Sequence, residues 1–217
     1  MKYVLLIAGC LAACQQAPKA DKATITEAQS VQESEGTAYR ADPARSWLQW
    51  VGTKPTGKHT GRFQLQEGTL YVKDSSVTGG KFTIDIASLE DVDMKGDTAM
   101  KHKLERELKS HLFFDAEKYP TATFAITGVQ AYHADGNEVL LKDATHTIQG
   151  NLRIKDVTKN ISFPAKIVLI KDQLTANADF NIDRTLWGMT YRADKSLQDK
   201  LINSAVNIQF SITAQRQ

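Results

Sequence analysis

Cysteine is missing from all but the first 14 residues of this 217-residue chain, where Cys10 and Cys14 both lie. That excludes a disulfide framework and a thiolate metal site from everything downstream. Basic residues never gather into a block, and the formal charge is only +2, so no Lys/Arg stripe exists to neutralise a nucleic-acid backbone. Neither Gly-x-Ser-x-Gly, Gly-x-Gly-x-x-Gly, a Walker-type loop nor His-Glu-x-x-His occurs. The usual sequence grounds for a serine hydrolase, a nucleotide site or a zinc peptidase are therefore lacking. Beyond the N-terminal tether described below, the chain has no internal repeats and no low-complexity segment.

The five histidines, His59, His102, His111, His133 and His146, include no close pair and gather no run of carboxylates. Spacing alone thus points to no metal site. His102 and His133 lie in charged or turn surroundings and read as solvated. Asp91-Val92-Asp93 would put two carboxylates on one face of a strand, but its neighbours read as an exposed corner rather than acid–base machinery. No catalytic residue and no cofactor are expected.

What the chain does have is alternation. From about residue 47 onward apolar and polar side chains repeat with a period of two, as in Arg62-Phe63-Gln64-Leu65-Gln66, Lys81-Phe82-Thr83-Ile84-Asp85-Ile86 and Ala178-Asp179-Phe180-Asn181-Ile182-Asp183. Each such strand has one apolar and one polar face. Many of them in one domain must close on their apolar faces as a sandwich or barrel. Strands are expected at 39–42, 46–54, 60–73, 79–87, 121–129, 137–153 in two pieces, 159–171, 173–183 and 203–214. Turns are expected at Gly79-Gly80, Asp135-Gly136-Asn137 and Lys171-Asp172-Gln173, and a bulge or bend at Gly68. The period changes at 97–110, where Met100, Leu104 and Leu108 recur every four residues behind a capping Asp97 or Thr98. The fold class is therefore all-β, a sandwich or a barrel, with one helical insertion that would plug or lid one end of a barrel.

The N-terminus reads differently. Met1-Lys2 followed by a short apolar run has the form of a secretory signal, too short to span a bilayer. Leu11-Ala12-Ala13-Cys14 resembles a bacterial lipobox, in which cleavage precedes a cysteine that carries a diacylglycerol. Ile7-Ala8-Gly9-Cys10 fits the same pattern with a shorter apolar region, so Cys14 is preferred over Cys10. Residues 15 to about 36 have few large apolar side chains and no sustained period. The expected organisation is a signal peptide at 1–13, a lipidated cysteine and flexible tether at 14–36, and a barrel domain at 37–217. A tether of that length would reach roughly 25 Å.

Three stretches carry a resemblance. They are Trp50-Val51-Gly52-Thr53-Lys54 with Gly57-Lys58-His59-Thr60-Gly61; Leu108-Lys109-Ser110-His111-Leu112-Phe113-Phe114-Asp115 running into Tyr119-Pro120; and Asn151-Leu152-Arg153-Ile154-Lys155-Asp156-Val157-Thr158-Lys159 followed by Ile182-Asp183-Arg184-Thr185-Leu186-Trp187-Gly188-Met189. In this order and spacing they resemble the YceI-like family of periplasmic lipid-binding proteins. Asp156 departs from the pattern, standing where a turn glycine is expected. The resemblance implies an extended lipocalin-like barrel that holds an isoprenoid such as a polyprenyl phosphate or quinone at the bacterial cell envelope, without enzymatic activity.

If one strand face lines a cavity, its candidates are Phe63, Leu65, Val72, Phe82, Ile84, Phe124, Ile126, Leu152, Ile154, Phe180, Ile182 and Ile208. Met100 and Leu104, with Phe113 or Phe114, would close one end; Tyr119 and Trp187 would pack on the ligand or, beside Pro120 and Gly188, pack as corners. Arg184 is the leading head-group partner because guanidinium pairs bidentately with phosphate, with Lys58 and His59 beside it. The competing reading is a structural one, a salt bridge from Arg184 to Asp183 or another acid that fixes the loop. The expected partners are a hydrophobic small molecule or lipid and, through the anchor, a membrane; strand edges or the helix could support a homodimer. Two other readings stay open: a filled structural or stress-related envelope barrel, and a lipid-modifying enzyme. Cavity volume separates the first from ligand binding, and a polar cluster inside the cavity would favour the second.

Overall fold

Each long alternating segment folds as a strand. The computed structural model describes residues 16–133 and 140–217, so Cys10, Cys14, the signal segment and the turn expected at 135–137 lie outside the described residues. In chain order the elements are β1 (Asp21–Lys22), β2 (Thr24–Glu27), β3 (Thr37–Ala41), β4 (Trp47–Lys54), β5 (Gly57–Lys73), β6 (Ser76–Asp91), α1 (Thr98–Lys109), β7 (Thr121–Ala131), β8 (His146–Ile154), β9 (Val157–Ile170), β10 (Gln173–Asp183) and β11 (Ala205–Arg216).

From β4 to β11 each strand pairs antiparallel with the next, and β11 returns to β4. The result is a closed eight-stranded antiparallel barrel carrying, among the described residues, a single α-helix. Closure removes the exposed edges that an open sheet would present. β3 occupies the same wall position as β4, bonding β11 and β5 farther along the barrel. The two are separated by a tight turn at Pro43–Arg45, capped by the Asp42 carboxylate on the Ala44 amide. Three register shifts bend β5 against β6, one of them between Leu65 and Glu67, next to the bend expected at Gly68.

Three expectations need correction. Gly79-Gly80 is not a turn: both residues lie inside β6, opposite Tyr71 and Leu70, and the chain reverses at Asp74-Ser75, where both residues have positive φ. Gly79 is small for another reason, since a Cβ there would overlap the Ser34 side chain crossing over it. Second, the first piece of the strand expected at 137–153 does not form among its described residues; 140–145 is turn and loop before β8.

Third, part of the flexible tether is wall. β9 and β10 pair with each other only over 166–170 and 173–177. Beyond that they separate, β2 bonds to the freed edge of β9 at 159–162, and β1 bonds parallel to β10 at 180–181. Residues 21–27 thus fill a seam in the barrel. Ala23 is buried in the core and Ile25 packs against it. Asn151 exchanges side-chain hydrogen bonds with the Gln29 backbone, and Lys159 pairs with Glu27 at 2.6 Å.

The helix runs as the spacing predicts. The Asp97 carboxylate accepts from the Met100 amide at 2.9 Å, and α1 carries Arg106 and Lys109 in its last turn, complementing the helix dipole. Among the described residues no helix is long and apolar enough to cross a membrane.

Candidate functional site

Inward side chains do not fill the barrel. They surround a cavity of about 770 Å³ whose wall is overwhelmingly apolar. Four of the phenylalanines that line it form one aromatic cluster. The Phe163 and Phe180 rings stack with centroids 4.1 Å apart, Phe210 meets both edge-on, and Phe124 lies 5.9 Å from Phe163. Gly61 makes room for a fifth aromatic, since a Cβ there would overlap the Trp50 indole. Trp50 is buried in the wall, and its Nε1–H has no hydrogen-bond partner among the described residues.

One end is a mouth. It is framed by the β4–β5 hairpin, the inward side of α1, and the segment between β10 and β11. Met100, Leu104 and Leu108 line it from the helix and Met94 from the loop before it. Phe63 meets Phe114 edge-on at 5.4 Å, and Phe113 meets Tyr191 at 5.6 Å. Charge gathers here: Lys54, Lys103, Arg192 and Lys200 line the cavity alongside Asp97 and Glu107. The opposite end narrows to a small void of about 60 Å³ among Val72, Ser75, Val77, His146, Ile167, Leu169 and Leu174.

Most of the residues expected on the cavity do line it: Phe63, Leu65, Phe82, Ile84, Met100, Leu104, Phe113, Phe114, Phe124, Ile126, Leu152, Ile154, Phe180, Ile182 and Ile208. Two do not. Val72 faces the small void at the closed end. Trp187 is fully buried and donates its Nε1–H to the Leu152 carbonyl at 3.0 Å, pinning the turn Arg184–Trp187 to the barrel. Trp50, Phe163 and Phe210 were missed, although each sits on the inward period of its strand.

The head-group candidates fare differently. Lys58 is exposed and does not line the cavity. Arg184 touches the cavity but is 3% exposed and committed elsewhere. Its Nε donates to the Asn203 carbonyl at 3.2 Å, Nη2 to those of Tyr191 and Ile202 at 2.9 and 2.8 Å, and Nη1 to that of Met189. Phe113 stacks on the guanidinium with its centroid 5.4 Å away. Burial pushes this guanidinium below its ordinary pKa, with the Asp183 charge opposing. Arg184 therefore clips the 188–203 segment onto the barrel end, leaving one of its five donors uncommitted to these carbonyls. Asp183 is not its partner; that carboxylate caps Thr185.

His59 does line the cavity, and behind it the fold brings together groups the sequence keeps apart. Its Nδ1 lies 3.5 Å from Asp93 Oδ1 and 3.8 Å from Asp91 Oδ2. Asp91 is not at an exposed corner: it is fully buried. Burial is the largest influence on its carboxyl and pushes the pKa above the usual range, against the pull of the Met94 amide.

A closed antiparallel barrel around an apolar cavity with a charged mouth is the class of protein that this fold and site define. A family model, the YceI-like domain, matches residues 39–214. The chain belongs to the YceI-like family. Among solved structures it is similar to BcnA of Burkholderia cenocepacia, with 20% identity and a TM-score of 0.62 over 81% of this chain and 99% of that one. It is similar also to a polyisoprenoid-binding domain of Saccharophagus degradans, with 15% identity, a TM-score of 0.60 and coverage of 83% and 99%. A YceI protein of Campylobacter jejuni aligns at 18% identity and a TM-score of 0.51, over 72% and 84% of the chains. At these identities the likeness establishes the fold. No curated protein matches the sequence.

Proposed function

We propose that the protein binds a long-chain amphiphile, an isoprenoid lipid such as a polyprenyl phosphate or quinone, and sequesters or carries it at the bacterial cell envelope. The observation that carries this reading is the cavity. Protein interiors are close-packed with few voids larger than a water molecule, so about 770 Å³ bounded by Phe, Ile and Leu is not a filled core. It falls within the range of about 300–1,000 Å³ typical of small-molecule sites. Each methylene buried there is worth about 0.8 kcal/mol, so a tail alone supplies ample affinity.

The mouth suits the other end of the molecule. Four cationic side chains against two carboxylates favour an anionic head group. The Trp50 Nε1–H gives the apolar wall one buried donor for a ligand oxygen. The relative from S. degradans, described as polyisoprenoid-binding, supports the same ligand class. A diacylglycerol on Cys14 would hold the barrel beside the membrane that supplies its cargo.

Extraction of the purified protein for lipid mass spectrometry tests the proposal. A stoichiometric long-chain isoprenoid is expected, lost when Phe163 and Phe180 are replaced together by glutamine. A lipid-free protein that also ignores added polyprenyl phosphates and quinones would overturn it.

A further inference from the structure

Three side chains from separate elements converge beside the mouth: His59 on β5, Asp91 at the end of β6, and Asp93 in the loop leading to α1. One ligand atom from each lies within 4.8 Å of the other two. The backbone enforces the meeting, since Gly61 pairs with Asp91 across β5 and β6 and the Val92 amide bonds the Thr60 carbonyl at 2.9 Å. Donors at about 2.0–2.2 Å around a tetrahedral ion stand about 3.3–3.6 Å apart. The separations of 3.5 and 3.8 Å from His59 Nδ1 are close to that spacing.

A second observation concerns how the carboxylates are held. Asp91 Oδ1 accepts from the amides of Asp93 and Met94 at 3.2 and 2.8 Å. Its Oδ2, fully buried, has no hydrogen-bond partner among the described residues and lies 3.8 Å from His59 Nδ1. Asp93 repeats the arrangement: Oδ2 takes the Thr60 amide at 2.9 Å, and Oδ1 turns to His59. In each case backbone amides anchor one oxygen and present the other, as outer-shell bonds orient metal ligands.

A buried carboxylate oxygen without a partner is costly, and Lys101, whose ammonium feels the Asp91 charge, makes its ion pairs elsewhere. The Lys101 ammonium pairs with Glu90 at 2.7 Å and Glu105 at 3.8 Å, and Glu105 accepts the Asp91 backbone amide.

We propose that His59, Asp91 and Asp93 form a binding site for a divalent transition-metal ion of the zinc type. One imidazole and two carboxylates suit Zn²⁺, Mn²⁺ or Co²⁺, whereas Mg²⁺ and Ca²⁺ favour all-oxygen shells. Three protein ligands leave a coordination position for an exogenous group. His59 and Asp93 are 30% and 35% exposed, so the site is reachable from solvent, and it adjoins the cavity through His59. The inference goes beyond lipid binding and does not rest on it.

Calorimetric titration of the full-length protein, stripped with chelator, with ZnCl₂ and MgCl₂ tests it. One equivalent of Zn²⁺ is expected to bind, undisplaced by millimolar Mg²⁺. His59→Gln, Asp93→Asn and Asp91→Asn are each expected to weaken zinc binding at least tenfold with unchanged circular dichroism. His59→Gln and Asp93→Asn alter partly exposed side chains, so they decide the matter should Asp91→Asn misfold. Absence of zinc binding, or a change of less than tenfold in both of those variants, would overturn the proposal.

Discussion

Trp50 in the cavity wall and His146 at the closed end show how single residues set local properties. Trp50 keeps an indole N–H without a partner among the described residues, in an apolar wall. Trp50→Phe is expected to weaken amphiphile binding by about 1 kcal/mol, roughly fivefold, the value of one neutral hydrogen bond. Unchanged affinity by fluorescence competition would show that no ligand oxygen reaches it. His146 lines the small void at the closed end, its Nδ1 2.8 Å from Thr145 Oγ1. Burial pushes this imidazole below its ordinary 6.5. Protonation therefore costs more in the folded than in the unfolded chain, so the stability it contributes is complete above that value and lost as pH falls through the lowered one. Between pH 7.5 and 5 the Tm of the wild type should drop more than that of His146→Gln, and parallel curves would contradict this. At this scale the sequence was only half legible. The period of two placed Phe124, Phe180 and Ile208 on the cavity, because a strand fixes which face each residue takes. It could not tell that Arg184 spends four donors on backbone carbonyls, because those carbonyls belong to a loop whose path follows from the whole fold.

At the scale of elements, strands and helix followed from periodicity, but the 21–27 segment did not. Ala23 and Ile25 are too sparse to register as a pattern, and the segment is held mainly by backbone pairing to edges that β9 and β10 leave open. Those edges exist only in three dimensions. The His59–Asp91–Asp93 cluster escaped notice for the same reason, since strand register joins positions about thirty residues apart. Because residues 21–27 complete the wall, deletion of 16–30 is expected to cost about 2 kcal/mol, a fall in Tm of roughly 4–8 °C. Amide exchange should accelerate at 159–162 and 180–181, the positions it covers. An unchanged Tm and unchanged protection would mean that the barrel is sealed without it.

At the scale of the molecule, the barrel spends its interior on a cavity rather than on packing, and its polar groups gather at one end. In the proposed function, aromatic and aliphatic walls would supply affinity without demanding a particular tail, while the cationic mouth would favour an anionic head. The most direct test is to measure affinity for polyprenyl phosphates of increasing tail length. If the tail fills the cavity, affinity rises at least tenfold for each added isoprene unit until the cavity is full and then levels off, as expected from about 0.8 kcal/mol per buried methylene. Affinity independent of tail length would contradict the account, because the cavity would then not be where the ligand goes.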